Sequence, residues 1–251
     1  MKFVVTAGPT REYLDPVRFL SNPSTGKMGF AVARAAAMRG HEVALVAGPV
    51  SLKTPKGVRR IDVTSAREML AAVEKELFAN SRDMVRYSNG RVGDAPLPVG
   101  AALRADRISQ CTMVFVSTAA VADWRPAKCA ARKLKKGQMS GTLKLVRNPD
   151  ILRTLSLRDR RGPRSALFVG FAAETNDVLS EARRKCREKG LEMIVANDVT
   201  QRGAGFGTDT NRVTLVRKDG SAERLPLMSK AAVATRIVRE CEGFADAMEA
   251  T

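Results

Sequence analysis

The sequence predicts an α/β protein: a doubly wound, mostly parallel Rossmann-like sheet followed by a C-terminal β-hairpin and helix. Three observations carry this. Short apolar runs rich in β-branched residues, at 3–6, 41–46, 112–117, 166–171 and 191–196, alternate with longer helix-forming stretches. The first run enters a Gly-containing turn and then an Ala-rich stretch, as in sheets that bind ligands at their carboxyl edge. After residue 211 the pattern changes to two short runs around Asp219-Gly220 and a closing periodic segment.

Each element follows from local chemistry. Residues 3–6 form a buried strand that breaks at Ala7-Gly8-Pro9-Thr10, and a long loop then carries Arg11, Asp15, Arg18 and Asn22. Residues 30–38, small and apolar, form a helix that stops at Gly40. Ser24 and Thr25 stand at its start and are expected to cap free N–H groups. Residues 41–46 are a second strand closed by Gly48-Pro49, and 58–63 a third. Ser65 and Glu68 have capping-box spacing before a helix with Met69, Leu70, Val73 and Leu77 on one side. Residues 80–106 carry turn signals such as Asn89-Gly90 and Pro96-Leu97-Pro98 and read as a surface insertion.

Residues 112–117 are the clearest central strand, and they deliver 117–123 to the sheet's carboxyl end. From Arg125 to Pro149 there are eight Lys or Arg residues and no Asp or Glu, with Gly137, Ser140 and Gly141 in the middle. Such a segment is a solvated loop or a lid over an anion. Asn148-Pro149-Asp150 opens a further helix, with Pro at an early helical position. Strand 166–171 precedes a helix over 177–190, where Lys185 and Lys189 share a face at i,i+4. A strand at 191–196 completes the alternation. The runs 211–217 and 224–227 form the hairpin, and Ser229 caps a helix through Val233, Ile237 and Cys241. No repeat or linker demands a second unit, so one domain over 1–251 is expected.

Composition narrows the chemistry. The formal charge is +17, with 44% apolar residues. Nucleic acid, anionic small molecules and plain solubility all suit that charge. Nine Phe, two Tyr and one Trp give few stacking platforms, so nucleic acid is not the expected partner. His41 is the only histidine and reads as an exposed linker residue, which argues against a Ser-His-Asp triad or a His-rich metal site. Cys111, Cys129, Cys186 and Cys241 have no C-x-x-C spacing and read as free, buried or half-buried thiols of a reducing cytoplasm. The opening apolar run is too short for a signal peptide and none approaches a membrane span, so a cytoplasmic protein without membrane contact is expected.

The stretch Ser21-Asn22-Pro23-Ser24-Thr25-Gly26-Lys27-Met28-Gly29 organises the rest. A helix start carries partial positive charge, Lys27 adds a full one, and glycines let a ligand approach the main chain. Ser24, Thr25, Gly26 and Lys27 are therefore phosphate candidates, against the plain alternative of a capped helix without ligand. The spacing is neither G-x-G-x-x-G nor a Walker loop, since Met28 follows Lys27.

These residues resemble the opening of phosphopantothenoylcysteine synthetase, the ligase of coenzyme A biosynthesis. The resemblance runs through residues 6–12, 14–18, Ser21-Asn22 and 26–29. It continues at 119–124, 133–136, 148–151, 170–175 and 196–198. It implies joining 4′-phosphopantothenate to cysteine, through an acyl-cytidylate made with CTP and magnesium, with no flavin in this chain. It implies catalytic roles for Asn22, on the activated acyl group, and for the flap lysine Lys133. Ser117, Thr118, Ala119, Asp123, Lys133, Pro149, Asp150, Ile151, Leu152, Phe171, Lys185 and Lys189 match nucleotide-contact positions, and Ala120 is a further substrate candidate. It further implies a basic flap over about 125–147, a homodimer, and a phosphopantothenoylcysteine decarboxylase either fused or separate. Pro23 and Thr25 stand where relatives often carry two serines.

Two other classes of protein compete with that expectation. A nicotinamide-dependent oxidoreductase uses the same kind of sheet, but here Ala47 follows the second strand where an acid would hold the ribose. A basic nucleic-acid-binding protein would show steep salt dependence and no pyrophosphate release.

Overall fold

Alternation along the apolar runs decides how the sheet is covered, because successive side chains point to opposite faces. The computed structural model describes residues 1–78, 113–135, 141–160, 166–174, 177–198 and 207–249. The expected insertion at 80–106, Cys111 and residues 136–140 of the expected flap lie outside them.

In chain order the first elements are β1 (Lys2–Ala7), β2 (Arg11–Tyr13), β3 (Phe19–Ser21), α1 (Lys27–Met38), β4 (Glu42–Ala47), β5 (Arg59–Asp62) and α2 (Ala66–Phe78). Then come β6 (Met113–Ser117), β7 (Trp124–Pro126), β8 (Leu145–Arg147), α3 (Ile151–Asp159), β9 (Ala166–Glu174), α4 (Val178–Lys189) and β10 (Met193–Asp198). The chain closes with β11 (Thr210–Asn211), β12 (Val213–Arg217), β13 (Ala222–Arg224), β14 (Met228–Ser229) and α5 (Lys230–Glu249).

Eight strands form the central sheet in the order β13-β12-β10-β9-β6-β1-β4-β5. β10, β9, β6, β1, β4 and β5 pair in parallel, and β12 and β13 join antiparallel at one edge. Numbered among themselves, the six parallel strands read 3-2-1-4-5-6, the order of a doubly wound sheet whose direction of winding reverses between β1 and β6. The predicted fold class is therefore found, with the C-terminal hairpin extending the sheet.

Phe3, Val5, Ala7, Val114 and Val116 face one core with α1 and α5. Val4, Phe115 and Phe168 face a second core with α2, α3 and α4. Phe115 and Phe168 meet edge to face at 6.1 Å. Truncating a fully buried Phe such as Phe115 to Ala costs about 3–5 kcal/mol, enough to threaten a domain of ordinary stability.

Several local expectations change. The loop after β1 contains a small hairpin, β2 paired with β3, that period-2 patterning is too short to announce. α1 begins at Gly26 in the left-handed region (φ 76°) with no side-chain cap, so Ser24 and Thr25 do not cap it; the Ser24 hydroxyl accepts from Gly26 N at 3.3 Å instead. Pro149 stands outside α3, because Asp150 is its cap and accepts from Arg153 N at 3.0 Å. His41 is no exposed linker residue: its ring lies 5.0 Å from that of Phe3 and Nε2 is 2.8 Å from Glu242 Oε1, tying β4 to α5. Cys186 and Cys241 are buried, and burial pushes the Cys186 thiol up to about 11, but Cys129 is exposed. Half of the expected capping box is made, with Glu68 N donating to Ser65 Oγ at 3.3 Å; the Glu68 carboxylate accepts instead from Thr64 N, one residue before the cap, at 2.8 Å. Ser229 accepts from Ala232 N at 3.1 Å.

Candidate active site at the β1–β6 switch point

The chain reverses its winding where β1 and β6 end, and the two strand ends are sewn together. Thr118 Oγ1 donates to Thr6 O at 2.5 Å, and Ala119 N to Thr6 Oγ1 at 3.4 Å. Ala120 N donates to Gly8 O at 2.9 Å and Ala122 N to Thr10 Oγ1 at 3.0 Å. Ser21 Oγ donates to Thr10 O at 2.7 Å, and Asn22 Nδ2 to Val121 O at 2.9 Å. The small hydroxyls and alanines of both segments are thus used for close backbone approach. Gly29 shows how close: a Cβ there would stand 2.5 Å from Ala7 Cβ and nearer still to Thr118 Oγ1.

Over this seam lies a cavity of about 70 Å³, walled by residues 24–29 on one side and by Thr118, Phe171, Ala172 and Ala173 on the other. Asn197, Asn211 and Lys230 complete it. Ligand cavities for whole organic molecules run from about 300 Å³, so this small, partly open cavity suits a small anionic group, not a whole nucleotide. The first turn of α1 has no side-chain cap, which leaves its N–H groups to a ligand. A much larger groove between α1, α5 and residues 52–56 shares Lys27 and Lys230 with the cavity but holds only Lys27 of the expected site residues.

The charges differ from the sequence reading. Lys27 is already paired: Nζ is 2.7 Å from Asp209 Oδ1 and 3.2 Å from Gly207 O. That pairing holds the Asp209 carboxyl below its usual range. Lys230, which the sequence reading missed, is buried and donates to Thr208 O at 2.6 Å. Burial, then the nearby Lys27 charge, lowers its ammonium from the ordinary lysine value.

The expected site residues fall into three groups. Ser24, Thr25, Gly26, Lys27, Thr118 and Phe171 line the cavity. Asn22, Ser117, Ala119 and Ala120 belong to the seam beneath it. A second group sits on the α3–α4 side of the sheet. Lys189 Nζ pairs with Asp150 Oδ2 at 2.7 Å. Ile151 and Leu152 point into the core, so only their main chain is available to a ligand. Lys185 lies half-buried on the same helix as Lys189. Asp123 is exposed, and its carbonyl accepts from Asn148 N at 2.8 Å, joining the seam to the start of α3. The third group is Lys133, exposed beyond the β7–β8 ribbon. Asn197 lies at the end of the parallel strand β10, inside the 196–198 motif, although the sequence reading gave it no role; Asn211 and Lys230 are brought in by the return of the chain through β11 and β14, which no local pattern encodes.

A 3-2-1-4-5-6 sheet with an anion-sized cavity at its switch point defines a ligand-binding protein of the doubly wound class. The chain belongs to the DNA/pantothenate metabolism flavoprotein C-terminal domain family, whose model matches residues 1–86 and 102–244. It is 43% identical over 239 residues to the coenzyme A biosynthesis bifunctional protein CoaBC of Vibrio cholerae, covering 94% of this chain and 51% of that protein. It is 44% identical over 234 residues to CoaBC of Escherichia coli, covering 92% and 48%. The chain thus spans about half the length of the curated relatives it matches. The crystal structure of a CoaBC C-terminal domain superimposes with a TM-score of 0.70 at 39% identity, covering 98% of this chain and 97% of that one. A Cab2 mutant in complex with phosphopantothenate-cysteine shares the fold, with a TM-score of 0.71 at 16% identity and coverage of 99% and 87%. The family read from the motifs is the one found.

Among the described residues no helix is long and apolar enough to cross a membrane, and no cluster of three or more His, Cys, Asp or Glu could hold a metal ion.

Proposed function

We propose that this chain is a phosphopantothenate–cysteine ligase of coenzyme A biosynthesis. The phosphopantothenate carboxylate attacks the α-phosphorus of CTP; the bond to the β-phosphate breaks and pyrophosphate leaves. The cysteine amine then attacks the acyl carbon, the acyl–phosphate bond breaks, and CMP leaves as the nitrogen sheds its proton. The observation that carries this reading is the anion-sized cavity over the start of α1, in a chain of this family.

Bringing a carboxylate to a triphosphate is dominated by repulsion, so the residues must supply positive potential. The α1 start and Lys230 supply it at the cavity, and Lys133, which stands exposed between β7 and β8 and does not line the cavity, would add its charge when that segment meets the triphosphate. Asn22 already donates one N–H to Val121 O, which orients the amide and leaves a second N–H on the same nitrogen for the acyl oxygen. Ser24, Thr25, Gly26 and Lys27 hold phosphate at the cavity. Ser117, Thr118, Ala119, Ala120, Asp123 and Phe171 receive the nucleotide along the seam. Pro149, Asp150, Ile151, Leu152, Lys185 and Lys189 flank it from the α3–α4 side.

Among the described residues no cluster of acidic, His or Cys groups is present to hold a magnesium ion, so in this proposal the ion would arrive bound to the triphosphate. When bound, it would neutralise phosphate charge.

A homodimer is part of the proposal. Val17, Phe19, Trp124, Leu143 and Leu145 are exposed apolar side chains on or beside the two small ribbons β2–β3 and β7–β8. A patch of that kind marks a contact surface. Light scattering that returned a monomer mass at micromolar concentration would remove the dimer. A cytoplasmic enzyme working with a fused or separate decarboxylase completes the reading, in line with the bifunctional naming of the relatives.

The deciding assay is pyrophosphate release with CTP and phosphopantothenate, with and without cysteine. Release without cysteine, and CMP plus amide product only with it, is expected. ATP in place of CTP should be slower. No release with either nucleotide would end the ligase reading.

A further inference from the structure

The segment that carries Lys133 has little to hold it. Ala127, Lys128, Cys129, Ala131, Arg132, Lys133 and Lys135 are all exposed, and Lys133 forms no ion pair among the described residues. Apolar burial therefore does not fix this stretch. What grips it is polar, and it comes from the turn of the β2–β3 hairpin.

Asp15 in that turn is fully buried. Its Oδ1 accepts from Val17 N and Arg18 N, both at 2.9 Å. Its Oδ2 accepts from Arg18 Nε at 3.0 Å, from Arg18 Nη2 at 2.5 Å and from Leu134 N at 3.2 Å. Arg18 Nη2 also donates to Leu134 O at 2.8 Å. The ion pair thus grips both the N–H and the carbonyl of one residue, Leu134, from well over a hundred positions away. Ala130 N donates to Leu14 O at 2.8 Å and fixes the same segment a turn earlier. The Arg18 guanidinium, helped by the main-chain N–H groups, holds the Asp15 carboxyl well below the usual carboxylate range.

An ion pair with a buried carboxylate and a partly exposed guanidinium is a weak device for stability alone. It is a good device for fixing position, because planar guanidinium and carboxylate bond in one geometry only. Here the geometry is passed to the residue adjoining Lys133. We propose that Asp15 is a positioning residue for Lys133: through Arg18 and the Leu134 backbone it sets where the flap lysine stands. The inference rests on the role given to Lys133 under the proposed function.

The test compares D15N, K133Q and the double variant in the CTP- and phosphopantothenate-dependent release of pyrophosphate, together with deuterium uptake across residues 127–135. Displacing a reacting group by an ångström costs up to about a hundredfold, so D15N is expected to lower kcat about tenfold to a hundredfold with little change in KM for CTP. Uptake at Leu134 rises while β1 and β6 stay protected. The double variant is no slower than K133Q, because both changes remove the same interaction. Wild-type kcat in D15N, unchanged uptake at Leu134, or a double variant slower by the product of the two single effects each overturns the proposal. If D15N does not fold, R18K carries the same test, since a lysine cannot hold Asp15 and Leu134 O in one plane. If K133Q itself releases pyrophosphate at the wild-type rate, the role of Lys133 is what fails; the exchange data then still decide whether the clasp exists.

Discussion

The seam at the end of β1 and the ribbon-borne flap are built on opposite principles. The seam is close-packed main chain: Thr6, Gly8 and Thr10 bond Thr118, Ala119, Ala120 and Ala122, and Gly29 has no room for a methyl group. The flap is exposed, rich in cations, and held to the body through backbone contacts at Ala130 and Leu134. In the proposed reaction the close-packed region receives charge and the exposed one delivers it. The contrast teaches that a group on an exposed segment can still be tied to the body at chosen backbone positions, here Ala130 and Leu134.

The largest effect that would sharpen the contrast comes from the delivering side. If Lys133 acts on developing phosphate charge as proposed, Lys133→Gln should cost about a hundredfold to a thousandfold, the usual loss for one such group. The loss should fall on pyrophosphate release itself. Asn22→Asp, on the rigid side, should leave pyrophosphate release comparatively intact and slow amide formation, so that labelled acyl-cytidylate accumulates. Equal impairment of both steps in both variants would erase the division of labour between the two regions.

A smaller effect tests rigidity directly. Gly29→Ala forces a methyl group against Ala7 and Thr118, and overpacking of this kind destabilises by about 1–3 kcal/mol. Denaturant unfolding should show that loss, with an unchanged slope. An alanine at the exposed position Ala131 is the natural counterpart: Ala131→Gly should move the midpoint hardly at all. If Gly29→Ala is as silent as Ala131→Gly, the seam is not the tight region described here.

The two regions were also unequally legible in the sequence. The strands of the seam were readable because apolar β-branched runs such as Val4-Val5 and Val114-Phe115-Val116 need no partner to declare themselves; their alternation with helices announces a parallel sheet, while the 3-2-1-4-5-6 order is seen only in the structure, because more than one doubly wound order shares that alternation. The basic flap was readable as eight cations without a carboxylate. What sequence reading could not reach are the pairings across long separations. Asp15 to Leu134, Lys27 to Asp209 and His41 to Glu242 depend on how elements return in space, and nothing local marks them. The same holds for Lys230, of which the sequence reading says nothing: the pairing of β11 with β14 and the bond from Lys230 N to Asp209 O set it beside the cavity.

Lys27 gives the smallest effect and the finest test of the division. On sequence alone it offers a full positive charge to an anion; in the structure Asp209 already occupies it at 2.7 Å, on an exposed carboxylate. An exposed pair of this sort is weak and screened by salt, so it does not lock Lys27 away. It sets a competition: an incoming phosphate must displace Asp209 before Lys27 can serve it. Asp209→Asn removes the competitor without touching the cavity's main-chain N–H groups. It should tighten pyrophosphate and CTP binding by about twofold to fivefold at low salt, in line with the small worth of exposed charge pairs, and the gain should fade as salt rises. Titration calorimetry at two ionic strengths reads both. Weaker binding in Asp209→Asn would mean that the carboxylate orients Lys27 toward the ligand, and would move this end of the seam from passive receiver to positioned donor, the role otherwise assigned to the flap.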